Sequence, residues 1–106
     1  MQTNELVAFV VDKVDDMKAR DIVTLDVRGK SSVTEFMVIC SGTSSRHAKS
    51  IAGYLAQEVK KHGVQPLGIE GEASGEWVLL DLDSVVVHVM QDESRHFYQL
   101  EKLWGG

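Results

Sequence analysis

The sequence contains few of the residues that cross-link, interrupt or anchor a chain. It has one cysteine and one proline. A lone cysteine cannot form an internal disulfide bond, and because Cys40 lies in the apolar run 36–40 we expect a buried, inert thiol. That run is far too short to cross a bilayer, and the N-terminus has no signal-peptide pattern. These absences favour a cytoplasmic protein with no membrane partner.

Positive charge is also scarce. The chain has 11 lysine and arginine residues against 16 aspartate and glutamate residues, so its formal net charge is -5 and its isoelectric point is about 5.2. Such a chain repels phosphate backbones, and direct or sequence-specific nucleic-acid binding is therefore not expected. A basic protein partner would suit this charge better, while the plainer interpretation is that the acidity only keeps the protein in solution.

What is present predicts one α/β domain over residues 1–106. The chain has 106 residues, 43% of them hydrophobic and 25% charged, which suffices for one modest core. The predicted elements are helix 4–19, strands 22–27 and 36–40, a helix from the Ser44–Ser45 turn to Gly63, strands 66–70, 77–82 and 85–90, and helix 93–104. The order α-β-β-α-β-β-β-α predicts a single-domain mixed β-sheet flanked by helices, with a right-handed parallel crossover over residues 36–70.

Polar residues next to the apolar stripes are the expected helix caps. Thr3 or Asn4 suits the first helix, Ser44 or Ser45 the second, and Asp92 the last.

The hairpin formed by strands 77–82 and 85–90 predicts two unlike faces. A two-residue turn at Asp83-Ser84 places Leu82 opposite Val85 and fixes the register. One face is then purely aliphatic and must be core: Val78, Leu80, Leu82, Val85, Val87 and Val89. The other face is mixed: Trp77, Leu79, Asp81, Val86, His88 and Met90. That mixture is typical of interface cores, but a covering helix that leaves Asp81 and His88 satisfied internally is an open alternative.

The final helix offers a possible extension of this mixed face. Its apolar stripe consists of Phe97, Leu100 next to Glu101, and Trp104. Arg95 and Tyr98 lie off the stripe, and both residue types are common in binding hot spots. A solvated tyrosine with a snorkelling arginine is the alternative.

Two segments have some resemblance to catalytic or anion-binding sites. The turn Gly42–Ser45 opens a helix and could hold an anion, but it lacks the phosphate-binding glycine patterns, so a plain N-cap is favoured. The pair Asp81 and Asp83 is reminiscent of the metal-binding carboxylates of nucleotidyltransferases, yet no third carboxylate accompanies them. The four histidines are scattered without metal-ligand spacing. We therefore expect no catalytic residue, no metal site and no cofactor.

Six segments together carry a family resemblance: Asp26–Ser32, Cys40–His47, Gly68–Gly71, Trp77–Asp81, Val85–Met90 and Tyr98–Trp104. In this order and spacing the chain resembles, over essentially its whole length, the ribosomal silencing factor family, the Iojap-like group of bacteria and organelles. The resemblance implies a nucleotidyltransferase-like fold without the enzyme's active site. One departure is Asp83, because the family usually has glycine in this turn, and it leaves the turn type open.

The resemblance also implies a translational repressor that is not an enzyme. Such a factor binds the large ribosomal subunit through ribosomal protein L-fourteen and obstructs joining of the small subunit when nutrients are scarce; homodimers are a further family trait. The contact residues it implies are Trp77, Asp81, His88, Met90, Tyr98 and Leu100, with Arg95 and Glu101 as further candidates. Trp77 and Met90 would supply buried apolar contact, while Asp81 and Glu101 would pair with basic side chains of the partner.

Two other functions stay open at this stage. A nucleotide-binding enzyme of nucleotidyltransferase type would use the Gly42–Ser45 turn and the Asp81–Asp83 segment. A dimeric adaptor would use the mixed face to bind a second copy of the chain.

Overall fold

The computed structural model describes residues 1–105. Its elements, in chain order, are α1 (Thr3–Asp16), β1 (Arg20–Asp26), β2 (Phe36–Gly42), α2 (Ser45–Lys61), β3 (Gly68–Glu70), β4 (Trp77–Asp81), β5 (Val85–Gln91), α3 (Asp92–Tyr98) and α4 (Leu100–Gly105). Within this range no helix is long and apolar enough to cross a membrane. The predicted α/β class and mixed sheet are confirmed, and the predicted last helix is present as two short ones.

The five strands form one sheet in the order β1-β2-β5-β4-β3. Only β2 and β5 pair in parallel; the other neighbouring strands are antiparallel. The predicted crossover over residues 36–70 is therefore only partly right. β3 runs in the same direction as β2, but β5 and β4 lie between them, because the chain goes from β2 through α2 to the sheet edge and returns through β4.

One face of the sheet, which we call the helix-covered face, packs against α1 and α2. All six side chains of the predicted aliphatic set are buried in this core. Leu6, Val10 and Val14 of α1 and Ile51 and Leu55 of α2 close it from above. Helical spacing aligns each set into one stripe, so most of the apolar burial of the domain is concentrated here.

The predicted inert thiol lies in the same core. Cys40 has no solvent exposure. Burial raises the pKa of the Cys40 thiol to about 12, because the thiolate would lose its hydration. The thiol therefore stays protonated and unreactive.

Two of the predicted helix limits differ at α1. The helix ends at Asp16 instead of residue 19, because Lys18 adopts a left-handed conformation with φ of 61°. Its N-cap is Gln2, whose side chain makes no capping bond. Thr3 is the first helical residue, and its hydroxyl donates a hydrogen bond to Glu35 over 3.1 Å instead.

The cap of α2 is as predicted. The Ser44 hydroxyl oxygen accepts a hydrogen bond from the His47 backbone N–H at 3.0 Å. After the helix, Gly63 has a φ of +83°, the left-handed conformation expected of a glycine beyond a helix end.

The predicted single helix over 93–104 is wrong. It is divided at Gln99, which has φ of 49° and ψ of 51° and separates α3 from α4. A left-handed residue ends the repeating helical geometry, so α4 leaves α3 at a new angle and folds over the sheet. Asp92 begins α3, but the N-cap position belongs to Gln91, which makes no side-chain capping bond.

Candidate functional site

The register of the hairpin agrees with the prediction. Trp77 pairs with Met90 and Asp81 with Val86, and the Leu82 N–H donates to the Val85 carbonyl over 2.9 Å. Of the two turn residues only Asp83 has a positive φ, 73°. A positive φ at the first turn position alone is the pattern of a type II′ turn, where glycine is usual. The mixed face therefore consists of the six predicted side chains, from Trp77 to Met90.

One end of the mixed face is covered by α4. Met90 is fully buried and Leu100 nearly so, and both pack with Ile39 in a second apolar cluster. Trp104 and Trp77 lie at the edge of this cluster. Because the turn at residue 99 brings α4 back onto the sheet, Met90 and Leu100 are core side chains of the free protein, and their contact with a partner stays a prediction.

His88 holds Trp77 in place. The Trp77 indole N–H donates to His88 Nδ1 over 3.0 Å, which requires that Nδ1 carry no proton. His88 is only 5% exposed, and burial lowers its pKa to about 4 because the charged ring would lose its hydration. The neutral imidazole is thus the form that orients the indole. In the free protein His88 positions Trp77, and its own contact with a partner stays a prediction.

Three aromatic side chains form a continuous cluster at this end of the sheet, and we call Trp77, Phe97 and Tyr98 the aromatic cluster. The ring centroids of Trp77 and Tyr98 are 4.8 Å apart, and those of Tyr98 and Phe97 are 5.0 Å apart at an interplanar angle of 86°. Trp77 is half-buried, whereas Tyr98 is 51% and Phe97 78% exposed. Adjacent exposed aromatic side chains are typical of a protein-binding surface.

Arg95 and Glu101 bind each other across the break between α3 and α4. Arg95 Nε donates to Glu101 Oε1 over 2.7 Å, and an Arg95 guanidinium N–H donates to the Ser41 hydroxyl oxygen over 2.9 Å. The Arg95 side chain is 11% exposed. In the free protein Arg95 therefore positions α4 against β2, and its role as a partner contact stays a prediction. Glu101 keeps a partly exposed carboxylate.

A sequence model of the family described as "Ribosomal silencing factor during starvation" matches residues 1–106. The chain belongs to this ribosomal silencing factor family.

Similar proteins include relatives with the same description. A Haemophilus influenzae protein named "Ribosomal silencing factor RsfS" is 48% identical over 99 residues, covering 93% of this chain and 97% of its own. A crystal structure of a Chromobacterium violaceum protein has a TM-score of 0.97 and 39% identity, covering 100% of this chain and 88% of its own. A mouse protein named "Mitochondrial assembly of ribosomal large subunit protein 1" is 37% identical, covering 91% of this chain and 43% of its own. The family is one of translational regulators that act on ribosomes.

The remaining predicted contact of this silencing factor, Asp81, lies on the open part of the mixed face. Asp81 is half-buried, and its Oδ1 accepts the Asp83 backbone N–H over 2.9 Å. Leu79, next along the same face, is also half-buried. Within residues 1–105 no three His, Cys, Asp or Glu side chains are grouped so that they could hold a metal ion. Because Oδ1 of Asp81 accepts the Asp83 N–H, this carboxylate supports its own hairpin turn, and its second oxygen is available to a partner.

Sequence reasoning missed Phe97 as a surface residue of this silencing factor. The helical spacing groups Phe97 with Leu100 and Trp104 in one apolar stripe and singles out Tyr98, not Phe97, as a contact. The turn at Gln99 separates them, and Phe97 then points into solvent. Its position directly before Tyr98 was the only available signal.

Proposed function

We propose that this ribosomal silencing factor binds the large ribosomal subunit through ribosomal protein L-fourteen and sterically blocks joining of the small subunit when nutrients are limiting. The proposal requires no catalysis. A bound protein of these dimensions, about 33 × 32 × 21 Å, is large enough to obstruct a subunit contact.

The aromatic cluster is the observation that carries the proposal. Tyr98 and Phe97 expose large rings to solvent. Their surroundings are fixed in the free protein by two hydrogen bonds, one from Trp77 to His88 and one from Arg95 to Ser41. Because these rings are already ordered, binding costs less conformational entropy than it would from flexible side chains. A pre-arranged aromatic surface supports recognition of a protein.

Charge supports a basic partner for the same surface. The chain has a net charge of -5, and the partly exposed carboxylates of Asp81 and Glu101 flank the mixed face. Carboxylates at the rim of an interface steer a basic partner and fix its orientation. Ribosomal proteins that contact RNA need basic surfaces, so the charge fits the proposed target.

Co-sedimentation of the protein with purified large subunits tests the proposal. Tyr98→Ala is expected to weaken binding about thirtyfold, the equivalent of roughly 2 kcal/mol for an exposed hot-spot ring. Tyr54→Ala is the matched control, because Tyr54 lies on α2 behind the opposite face of the sheet. Equal binding by Tyr98→Ala and the parent would show that the aromatic cluster is not the contact.

A second measurement separates obstruction from simple binding. Adding the protein to isolated large and small subunits is expected to reduce the fraction that sediments as joined ribosomes, and Tyr98→Ala is expected to restore it. If the sedimentation mass of the free protein also falls in Tyr98→Ala, the same surface binds a second copy, as the dimeric adaptor alternative requires.

A further inference from the structure

A cleft of about 690 Å³ adjoins the aromatic cluster, and Tyr98 is the one residue of its lining that belongs to the predicted contact set. It is bounded by the start of α2, the end of β5 and one side of α3. Its lining includes Glu76, Glu93, Phe97, Tyr98 and Ser44. Because Tyr98 belongs both to the cleft and to the aromatic cluster, the two surfaces are continuous.

The charge of this cleft is entirely negative. Glu76 and Glu93 are the only charged side chains that line it, and no lysine, arginine or histidine does so. Both are exposed, and neither side chain forms an ion pair or hydrogen bond with any other residue of the described range 1–105. Two unneutralised carboxylates in one concave surface attract a cation and disfavour a phosphate.

The aromatic side chains that line the cleft also favour a cationic ligand. Phe97 and Tyr98 meet nearly edge to face, at 86°, so their ring faces stand at a right angle. A cation over such a face is attracted by the negative charge of the π-system, and the methylene groups of a long basic side chain can pack on the neighbouring ring. Carboxylates and ring faces together form the chemistry that recognises a lysine or arginine side chain.

We propose that this cleft receives an arginine or lysine side chain of the ribosomal protein partner. The inference rests on the proposed function and deepens it: Phe97, Glu93 and Glu76 join Tyr98 as contacts, and they select a partner that projects a basic residue. The backbone N–H groups at the start of α2 favour an anion instead. A nucleotide held there is the competing outcome of the experiment.

The first experiment needs no ribosome. The free protein is titrated with an acetylated, amidated Lys-Arg-Lys tripeptide while the backbone amide NMR signals of residues 93–98 are followed. Saturable shifts are expected, with affinity lowered roughly threefold in both Glu93→Gln and Phe97→Leu. Glu5→Gln is the control, since Glu5 lies in the first turn of α1 behind the other face of the sheet, as exposed as Glu93. No shifts, or equal shifts in all variants, would overturn the inference.

The second experiment measures binding to purified large subunits. Phe97→Ala is expected to weaken binding about thirtyfold, while Phe97→Tyr, which keeps the ring, binds like the parent. If the parent binds and Phe97→Ala binds equally well, the cleft is not used although the proposed function stands. If the parent does not bind subunits but the tripeptide shifts appear, the proposed function fails and the basic-side-chain site remains. Shifts at Ser44 and Ser45 with a nucleoside triphosphate, in place of the tripeptide, would overturn the inference in favour of an anion site.

Discussion

The two faces of the sheet are covered by helices to different extents. The helix-covered face is closed by α1 and α2, which have 14 and 17 residues and present aliphatic stripes to aliphatic strands. The mixed face is closed only at one end, by α3 and α4 with 7 and 6 residues. Helices this short contribute little stability of their own, so their position depends on specific contacts such as the Arg95–Glu101 pair.

This difference separates stability from recognition within one sheet. The buried side chains of the helix-covered face form one apolar core, so their main contribution is to the stability of the fold. The mixed face has the Trp77–His88 hydrogen bond, a buried His88 Nε2 without a hydrogen-bond partner in the described range 1–105, and aromatic rings left partly in water. A substitution on one face should therefore change a different measurement from a substitution on the other.

Leu80 and Leu79 provide the sharpest form of this comparison, because they are neighbours on β4 that point to opposite faces. Leu80 is fully buried in the helix-covered face, and Leu79 is half-buried on the mixed face. Leu80→Ala is expected to lower the free energy of unfolding by about 2–5 kcal/mol, since it leaves a cavity in a packed core. Leu79→Ala is expected to lower it by about 1 kcal/mol. Urea unfolding of both variants checks this.

In binding to large subunits, Leu79→Ala should have the larger effect and Leu80→Ala the smaller, the reverse of their order in stability. At a temperature where both variants are folded, Leu79→Ala is expected to bind more weakly and Leu80→Ala like the parent. The division between the faces would be wrong if Leu80→Ala lost binding while keeping its far-ultraviolet circular dichroism.

The pH dependence of stability should come from the mixed face, through His88. Its folded pKa of about 4 lies below the ordinary 6.5, so between these values the unfolded chain takes up a proton that the folded chain refuses. Stability is therefore unaffected above pH 6.5, falls as the pH drops to about 4, and loses nothing further from this group below that. The total decrease in the free energy of unfolding that His88 causes between pH 6.5 and 4 is about 3 kcal/mol.

A variant without the imidazole isolates this contribution. His88→Gln can still accept the Trp77 indole N–H but has no proton to gain, so its urea midpoint should fall less between pH 6.5 and 4 than that of the parent. Parallel profiles for the two proteins would show that His88 is not the source. Cys40, the buried titratable group of the helix-covered face, is already protonated throughout this range and adds no slope.

The sequence was most informative where one local rule decides the structure. The alternation of side chains and the two-residue turn at Asp83 predicted the register of the hairpin, because a period of two and a turn length leave one pairing. The cap at Ser44 followed in the same way from its own hydroxyl. The burial of the mixed face could not be predicted, because it depends on how residues 92–105 fold back over it.

Gln99 is the residue at which the sequence was least informative. No glycine marks this left-handed position, and the helical pattern of Phe97, Leu100 and Trp104 continues through it. The burial of Leu100 against Ile39 and Met90, and the Arg95–Glu101 pair, are tertiary interactions that a local pattern does not contain. They outweigh the preference of residue 99 for a continuous helix, so the chain turns there.

The smallest expected effect therefore concerns the turn at Gln99. Gln99→Gly removes the side-chain strain of φ 49° and is expected to raise the free energy of unfolding by about 0.5 kcal/mol, after the greater freedom of glycine in the unfolded chain is subtracted. Gln99→Val is expected to lower it by about 1 kcal/mol, because a β-branched residue tolerates this conformation poorly. Both tryptophans, Trp77 of the mixed face and Trp104 of α4, pack against the cluster of Ile39, Met90 and Leu100, so their fluorescence during urea unfolding reports the change directly. A lower midpoint for Gln99→Gly than for Gln99→Val would instead be the order expected of one continuous helix over residues 92–105, because glycine is the poorer helix former, and would contradict the left-handed turn at residue 99.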